Sequence, residues 1–267
     1  MDPRSARRAR AATSVLAALL TLLGAGSARA DLNAGLVAYW SFDDGTAADN
    51  SGNGHDGTVH GATPCPGVSG QGFCFDGIDD FIEILRTSDL RFRNQSVTFA
   101  AWATFPDNID AYRSLVYLGD TPDYYPHVWL CKSRSGYLQG RAFMQLGDAD
   151  VHVCFSASLA DGHGLGDGRW LCLAGVADWA KGTITLYIDG WPQTSGPVCD
   201  YDIGLAEHLA LYLGRAAHAG DFHHGNLDEV RIYDRALSFE EVRELCAAVP
   251  VPVLPGSWGR VKGMHRR

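Results

Sequence analysis

Short runs in which apolar and polar residues alternate fill the chain between Leu36 and Leu237. Successive side chains of a strand point to opposite faces, so this alternation is typical of half-buried strands. Glycine, aspartate and asparagine separate the runs, and no long helical pattern lies among them. The clearest runs are LVAYWSF, GFCFDG, FIEIL, SVTFAAWATF, SLVYLG, HVWLCKS, YLQGRAFMQL, DVHVCFSAS, RWLCLAGVA, TITLYIDG, LALYLG and LDEVRIY. The pattern predicts a single all-β sandwich or barrel.

Two local signals add detail to this prediction. In TITLYIDGWP the apolar residues alternate with polar ones up to Asp189-Gly190, which supplies the chemistry of a hairpin turn. The stretch SFEEVRELCAA is helical in pattern, because Ser238 and Glu241 form a capping box ahead of a short apolar stripe. We therefore expect the domain to end with about two helical turns.

The chain begins with the basic stretch MDPRSARRAR, continues with the apolar stretch AATSVLAALLTLLGAG and reaches small residues just before Asp31. This order predicts a secretory signal peptide over residues 1–30. An uncleaved membrane anchor is the alternative, but the apolar stretch is short for a span. We expect a protein that is secreted, periplasmic or on the cell surface, with no stable membrane span in the mature chain.

Residues 31–246 are expected to form the domain, and residues 247–267 to form a disordered tail. The prolines of the tail forbid a continued helix, and its terminal residues are basic. The whole chain carries a formal net charge of −9. Nucleic acid is not expected as a partner, because binding to phosphates requires clustered Lys and Arg.

All seven cysteines follow the predicted signal peptide, so they meet an oxidising compartment, where disulfides are expected. Zinc is the rival interpretation, but the chain lacks the close cysteine spacing of thiolate sites. Cys65 and Cys74 bracket the turn PGVSGQGF and are the best local pair. The further pairs that we expect are Cys131 with Cys154 and Cys172 with Cys199, which leaves Cys246 unpaired.

The stretch GNLDEVRIYDRALS contains an acid in an apolar setting. Regular strand alternation places Asp228 on the same face as Val230 and Ile232, at the rim of a core. A carboxylate there is costly to desolvate unless a cation or several donors compensate it. The sequence therefore predicts a partner for Asp228, which is either a cation or a set of backbone amides.

Five motifs in order resemble the bacterial laminin G-like jelly rolls of the concanavalin A-like lectin/glucanase superfamily. They are GLVAYWSFDDGTAADNSGNGHDGTV, GFCFDGIDDFIEI, SVTFAAWATF, RWLCLAGVADWAKGTITLYIDG and HGNLDEVRIYDRALSFEEV, and the resemblance covers roughly residues 35–246. It implies an all-β, two-sheet antiparallel jelly-roll sandwich with a short C-terminal helix. It also implies that the first strand lies beside the last.

That arrangement brings the turn after the first strand close to the head of the last one. Asp43 and Asp228 are then predicted to share a structural calcium ion, with carbonyl oxygens and waters completing the shell. The rival interpretation is that Asp228 accepts backbone amides or pairs with an arginine. Asp79-Asp80 is interpreted as a turn cap in preference to a second ion site, and the loop of residues 49–57 as a set of turns.

Catalysis is not expected. The glucanases of the superfamily carry two glutamates at E-x-D-x-x-E spacing on one strand, and this chain has no such triplet. Sugar binding by such modules uses flat aromatic faces, and Tyr124, Tyr125 and Trp179 are the candidate contacts. The predicted function is an exported, non-catalytic module that binds a glycan or a surface glycoprotein. The alternatives are an adhesive surface protein without sugar specificity and, less favoured, a degenerate glycoside hydrolase.

Overall fold

A computed structural model describes residues 31–85, 88–106, 112–120, 126–132, 142–147, 153–157, 166–199, 209–216 and 221–247. The predicted signal peptide, the tail beyond residue 247, Tyr124 and Tyr125 lie outside the described residues. All of the elements below belong to one compact unit, Leu32–Arg267. No helix in the described part of the chain is long and apolar enough to cross a membrane.

Across the described residues, fifteen strands form two antiparallel sheets, and one helix follows the last strand. The elements are β1 (Leu36–Trp40), β2 (Thr58–His60), β3 (Thr63–Pro66), β4 (Gln71–Asp76), β5 (Phe81–Ile84), β6 (Val97–Thr104), β7 (Arg113–Asp120), β8 (Pro126–Lys132), β9 (Ala142–Gly147), β10 (Val153–Ala157), β11 (Trp170–Asp178), β12 (Thr183–Ile188), β13 (Trp191–Pro197), β14 (Leu209–Leu213), β15 (His224–Tyr233) and α1 (Phe239–Ala247). Within the described residues, each predicted run overlaps a strand. The sequence missed β2, β3 and β13, because these strands are short or lack apolar alternation.

The first sheet has the order β13-β12-β11-β6-β15-β4-β3, with β1 pairing to β15. The second sheet has the order β10-β9-β8-β7-β14-β5-β2. Alternate residues of the two sheets meet in one apolar core, to which Trp40, Phe99 and Leu173 contribute from the first sheet and Leu118 and Leu211 from the second. The predicted jelly-roll sandwich is confirmed.

The outer face of the first sheet is covered by α1. Val242 and Leu245 of the helix pack with Trp102, Ala174 and Tyr233, which point outward from the sheet. The predicted capping box is present, because Ser238 Oγ accepts the Glu241 N–H at 3.2 Å and the Glu241 carboxylate accepts the Ser238 N–H at 2.7 Å. The helix therefore gives this sheet a second, smaller apolar layer.

The disulfides agree with the sequence prediction only in part. Cys65 and Cys74 are joined across the β3–β4 hairpin, as predicted. Cys172 of β11 is joined to Cys246 of α1, so the predicted pairing of Cys172 with Cys199 and the predicted free Cys246 are wrong. The predicted pairing of Cys131 with Cys154 is also wrong, because the Cys131 thiol is free and buried. Cys199 is disulfide-bonded as well.

Candidate functional site

The last strand contains a bulge at the point where it changes partner. β15 pairs with β4 up to Leu227 and with β1 from Val230 onward, and the register against β6 shifts after Asp228. Glu229 has a φ of 55°, which is rare for a residue other than glycine. Because of the bulge, Leu227 joins Val230 and Ile232 in the main core.

The bulge overturns one prediction from alternation. A regular strand would place Asp228 on the face of Val230, but Leu227 occupies that face. Asp228 instead lies opposite Trp102 in the register with β6, and Trp102 belongs to the outer apolar layer beneath α1. The carboxyl group of Asp228 is therefore on the outer side of the sheet, under the turn that joins β3 to β4.

Backbone amides surround the fully buried carboxyl group of Asp228. One oxygen accepts the Ser69 N–H at 3.1 Å, and the other accepts the Glu229 N–H at 2.8 Å. The pKa of Asp228 is raised to about 7. Burial is the largest cause, and the Glu229 carboxylate adds to it. The amides of Ser69, Glu229 and Val68 act in the opposite direction and offset only part of the rise. Backbone amides are one of the two kinds of partner that the sequence predicted for Asp228.

Two glycines allow the β3–β4 turn to lie against both predicted calcium ligands. A Cβ atom at Gly67 would overlap the Asp228 carboxylate, and one at Gly70, where φ is +50°, would overlap the Asp43 carboxylate. Gln71 adds a further contact, since its side-chain amide donates to the Asp43 carbonyl at 3.2 Å. Asp43 and Asp228 therefore lie against the same turn.

The groups at this turn match the chemistry of calcium only in part. Calcium takes six to eight oxygen ligands, and the two carboxylates with the turn carbonyls are of the right type. The Asp228 oxygens also accept amide hydrogens, however, so an ion would share them with those donors. An ion would also require the ionised form of a carboxyl group whose pKa is about 7, so binding would release a proton.

A second group of acids lies in the β4–β5 turn. The carboxylates of Asp76, Asp79 and Asp80 come within 4.8 Å of one another, which is close enough to hold a cation. Asp80 accepts the Asp76 N–H at 2.9 Å, and Asp76 accepts the Ile78 N–H at 2.7 Å. Burial raises the pKa of Asp80. The contacts have the form of the turn cap that the sequence predicted.

Residues 49–57 form a buried network that the sequence did not reveal. The fully buried His55 ring lies between two carboxylates, with Nδ1 3.1 Å from Asp49 and Nε2 2.8 Å from Asp89. The His55 carbonyl accepts the Trp40 indole N–H at 2.9 Å. The sequence predicts only turns here, because a single histidine among glycines carries no periodic signal. In the structure His55 joins the loop to the core through its contacts with Trp40, Asp49 and Asp89.

Asp49 is the centre of this network. Its two oxygens accept the N–H groups of Tyr39, Ser51 and His55, the Ser51 hydroxyl and the His55 ring. Burial would raise the pKa of Asp49, but these hydrogen bonds lower it to about 2. The carboxylate therefore holds the loop against β1 in its ionised form.

The structure describes only one of the three predicted sugar contacts, Trp179. Tyr124 and Tyr125 lie outside the described residues. Trp179 is half-buried, packs against the main core and donates its backbone N–H to Ser96 Oγ at 2.9 Å. Trp179 therefore offers only part of its ring to a ligand.

A different tryptophan is far more exposed. Trp191, the first residue of edge strand β13, is 56% exposed, the highest value of any tryptophan that the structure describes. The Arg243 guanidinium lies 4.9 Å from its ring centroid, and the Phe239 ring lies 5.7 Å away at 55°. The sequence places Trp191 in or beside a loop, like several other aromatics, and does not distinguish it from them, because its partners come from α1, about fifty residues further along the chain.

The outer face of the second sheet carries a more buried aromatic cluster. Tyr117 and Trp129 pack with Tyr212, and Phe81 lies against this group. The Arg215 guanidinium lies 4.5 Å from the ring centroids of both Phe81 and Tyr212. The rings of Tyr117, Trp129 and Tyr212 are almost fully buried, so this cluster serves as a second small core.

The acids of the last strand are engaged in structural contacts. The Glu229 carboxylate accepts the Tyr39 hydroxyl at 3.0 Å and pairs with Arg231, whose guanidinium lies over the Tyr39 ring at 4.0 Å. Burial raises the pKa of Tyr39. Glu83, on the other sheet, lies 3.4 Å from His60. Glu229 and Glu83 thus lie on different sheets, and each contacts a neighbouring side chain.

Solved structures with the same fold include several binding domains. The binding domain of Paraclostridial Mosquitocidal Protein 1 is 17% identical with a TM-score of 0.67, and the match covers 82% of this chain and 53% of that chain. The binding domain of botulinum neurotoxin serotype D is 14% identical with a TM-score of 0.61, covering 82% and 53%. This chain thus spans about half the length of these toxin domains.

A smaller domain matches over nearly its whole length. Domain 4 of AbnA, a GH43 extracellular arabinanase from Geobacillus stearothermophilus solved with arabinotriose, is 22% identical with a TM-score of 0.61, and the match covers 79% of this chain and 98% of that domain. No curated protein matches the chain. The profile of one family, Laminin_G_3, matches residues 76–243, which is more than half of the chain. The chain therefore belongs to the Laminin_G_3 family of the concanavalin A-like lectin/glucanases superfamily.

Proposed function

We propose that this protein is an exported, non-catalytic module that binds a carbohydrate, either free or on a surface glycoprotein. The observation that carries the proposal is the jelly-roll fold, which this chain has in common with an arabinanase domain solved with arabinotriose. That domain is matched over 98% of its length, so the shared part is a whole module. The toxin domains with this fold are also named for binding.

The acids of the described residues support a non-catalytic role. A glycosidase needs two carboxyl groups that face one sugar from the two sides of the scissile bond. Here Asp228 is enclosed by amides, and Glu229 is held by Tyr39 and Arg231. Neither group is available to act as an acid or a nucleophile without breaking the bulge in β15.

Export is part of the proposal. It is supported by the basic and apolar stretches at the start of the chain and by disulfides such as Cys65–Cys74 and Cys172–Cys246. The protein would act in a secreted, periplasmic or surface-bound form. Mass spectrometry of the exported protein is expected to show a mature chain that begins at or near Asp31, and an intact leader on that protein would contradict export with cleavage.

We also propose that calcium stabilises the turn that contacts Asp43 and Asp228. A bound ion favours the folded chain by mass action, by about 2.7 kcal/mol at a hundredfold excess over its dissociation constant. Thermal melts in EDTA and in millimolar calcium test this proposal on the wild type, Asp43→Asn and the matched control Asp79→Asn. EDTA should lower the melting temperature of the wild type and of the control, and it should have no effect on Asp43→Asn.

Two outcomes would count against this calcium site. Equal melting temperatures of the wild type with and without EDTA would show that calcium does not stabilise the fold. An EDTA effect that survives in Asp43→Asn and vanishes in Asp79→Asn would move the ion to the β4–β5 turn, where the three carboxylates converge.

Native affinity electrophoresis tests the binding function itself. Gels that contain soluble arabinan, xylan, mixed-linkage β-glucan or galactomannan should slow the wild type in at least one case relative to a gel without polysaccharide. Tyr125→Ala should migrate faster than the wild type in that gel, because the variant lacks a proposed sugar contact. The same result is expected of Tyr124→Ala and Trp179→Ala. Incubation with the polysaccharide should release no reducing sugar, and release by the pure protein would overturn the non-catalytic role.

A further inference from the structure

The tip of the β12–β13 hairpin is held rigidly from two sides. Asp189 and Gly190 form the turn, both with positive φ, and the Asp189 carboxylate accepts the Cys172 N–H of β11 at 3.0 Å. The same carboxylate pairs with Arg169 at 3.1 Å. On the other side Gly190 lies against α1, where an added Cβ would come 3.2 Å from the Arg243 Cα. The residue that follows this tip, Trp191, therefore has a fixed position.

The helix beneath the tip is fixed as well. The Cys172–Cys246 disulfide joins α1 to β11, and α1 carries both residues that brace the Trp191 ring. The Arg243 guanidinium lies over this ring at 4.9 Å, and the Phe239 ring is tilted against it at 5.7 Å. Trp191 is 56% exposed despite these contacts, so more than half of the residue remains accessible.

A single exposed apolar side chain is common on soluble proteins, so exposure alone does not mark a site. Trp191 differs in that Arg243 and Phe239 hold its exposed ring in place. The core does not require an indole at this position, because Trp191 stands on the outermost strand of the first sheet. Polar groups lie close to Trp191. The Arg243 guanidinium is over its ring, and the Gln193 amide donates to its backbone carbonyl at 3.1 Å. Asp189, which pairs with Arg169, is two residues earlier in the chain. A flat apolar face with a few polar groups at its edge is the composition of a small-ligand site.

The size of the patch favours a sugar over a protein. A stable protein interface buries about 800 Å² on each partner, whereas a tryptophan that is 56% exposed offers only about half of the roughly 250 Å² of a whole side chain. Addition of a strand from another chain is also disfavoured, because Pro192 follows Trp191 on the edge strand and removes a backbone donor there. The C–H face of a sugar ring is apolar and matches one indole in area, while its hydroxyls can reach the polar groups nearby.

We propose that Trp191, braced by Phe239 and Arg243, is a stacking site for one sugar ring of a glycan chain. This inference rests on the proposed function and assigns it a place on the molecule that differs from Tyr124, Tyr125 and Trp179. The Cys172–Cys246 disulfide has a role in this proposal, because it keeps the two bracing residues in register with the hairpin.

The test uses the same polysaccharide gels with three variants. Trp191→Ala should lose about tenfold or more in affinity for the retarding polysaccharide, because tryptophans that a ligand covers on binding contribute much of the binding energy. Trp191→Phe should retain most of the affinity, since it keeps a flat ring. Leu85→Ala, which removes another exposed apolar side chain, is the matched control and should behave as the wild type. Thermal melts of each variant should show that it is folded.

The outcomes separate this inference from the proposed function. A wild type that is retarded, with Trp191→Ala retarded equally, overturns the stacking site and leaves the binding function standing. A wild type that no polysaccharide or glycoprotein retains overturns both. Cys246→Ser gives an independent check: the folded variant should bind the same polysaccharide more weakly than the wild type, and unchanged binding would contradict the role of the disulfide.

Discussion

Asp49 and Asp228 are two buried aspartates beside the first and last strands, and their pKa values shift in opposite directions. Burial raises the pKa of Asp228 to about 7, whereas hydrogen bonds overcome burial at Asp49 and lower its pKa to about 2. Asp49 accepts hydrogen bonds from amides, a hydroxyl and an imidazole, while Asp228 accepts amides alone and lies beside the Glu229 carboxylate. The number of donors and the charge of the neighbours therefore decide the state of a buried acid.

The largest expected effect is the dependence of stability on pH at Asp228. Its pKa is about 7 in the folded chain against 3.8 for an unperturbed aspartate, so between these pH values the folded chain keeps a proton that the unfolded chain releases. The resulting stability is fully present below about pH 4 and is lost as the pH rises to about 7, by a free energy on the order of 4 kcal/mol. Above that range the loss is complete.

Urea unfolding from pH 4 to pH 8 in EDTA measures this effect on the wild type and on Asp228→Asn, which is neutral throughout. The free energy of unfolding of the wild type should fall relative to that of the variant between pH 4 and pH 7. A difference between the two proteins that stays constant across this range would show that Asp228 is ionised in the fold at every pH tested.

The second expected effect is the loss of the Asp49 carboxylate. Asp49→Ala leaves several buried donors of Tyr39, Ser51 and His55 without an acceptor, so the free energy of unfolding should fall by about 3 kcal/mol at pH 7. The contribution of this depressed pKa is present above about pH 4 and is lost as the pH falls towards 2. Urea unfolding at pH 7 checks the loss, with the exposed Asp44→Ala as the control. Equal losses of unfolding free energy in the two variants would show that Asp49 does not organise the network.

The smallest expected effect is at the outer end of the same network. The Asp89 side chain is 43% exposed, although the His55 ring that it contacts is buried. Asp89→Asn should therefore lower the free energy of unfolding by only about 0.5 kcal/mol, because water screens a carboxylate that is 43% exposed and asparagine keeps a side-chain oxygen. Urea unfolding beside Asp49→Ala gives the comparison. A loss of unfolding free energy as large as that of Asp49→Ala would mean that the two carboxylates stabilise the loop equally.

The fold could be predicted from the sequence because its signals are local. Alternation and turn residues marked most of the strands, and the Asp189-Gly190 turn and the Ser238–Glu241 cap were both visible in a few residues. The Cys65–Cys74 bridge was also local. Cys172–Cys246 closes a separation of 74 residues, and its prediction required knowing that α1 packs on the outer face of the first sheet.

The candidate site was harder to predict for a related reason. The sequence raised the question of the partner of Asp228, but alternation placed its side chain on the wrong face, because a bulge adds a residue without leaving a sequence mark at Glu229. The partners of Trp191, and the Asp89 partner of His55, come from segments that are distant in the chain. These sites depend on tertiary contacts, which a single sequence does not specify.

The most direct test of the central claim is binding of the pure, processed protein to an array of glycans and glycoproteins, with each glycoprotein printed before and after enzymatic removal of its glycans. We predict saturable binding to at least one class of glycan, loss of binding when the glycans are removed, and competition by the free oligosaccharide. Equal binding to intact and deglycosylated glycoproteins, or no binding by a protein shown to be folded, would contradict the account.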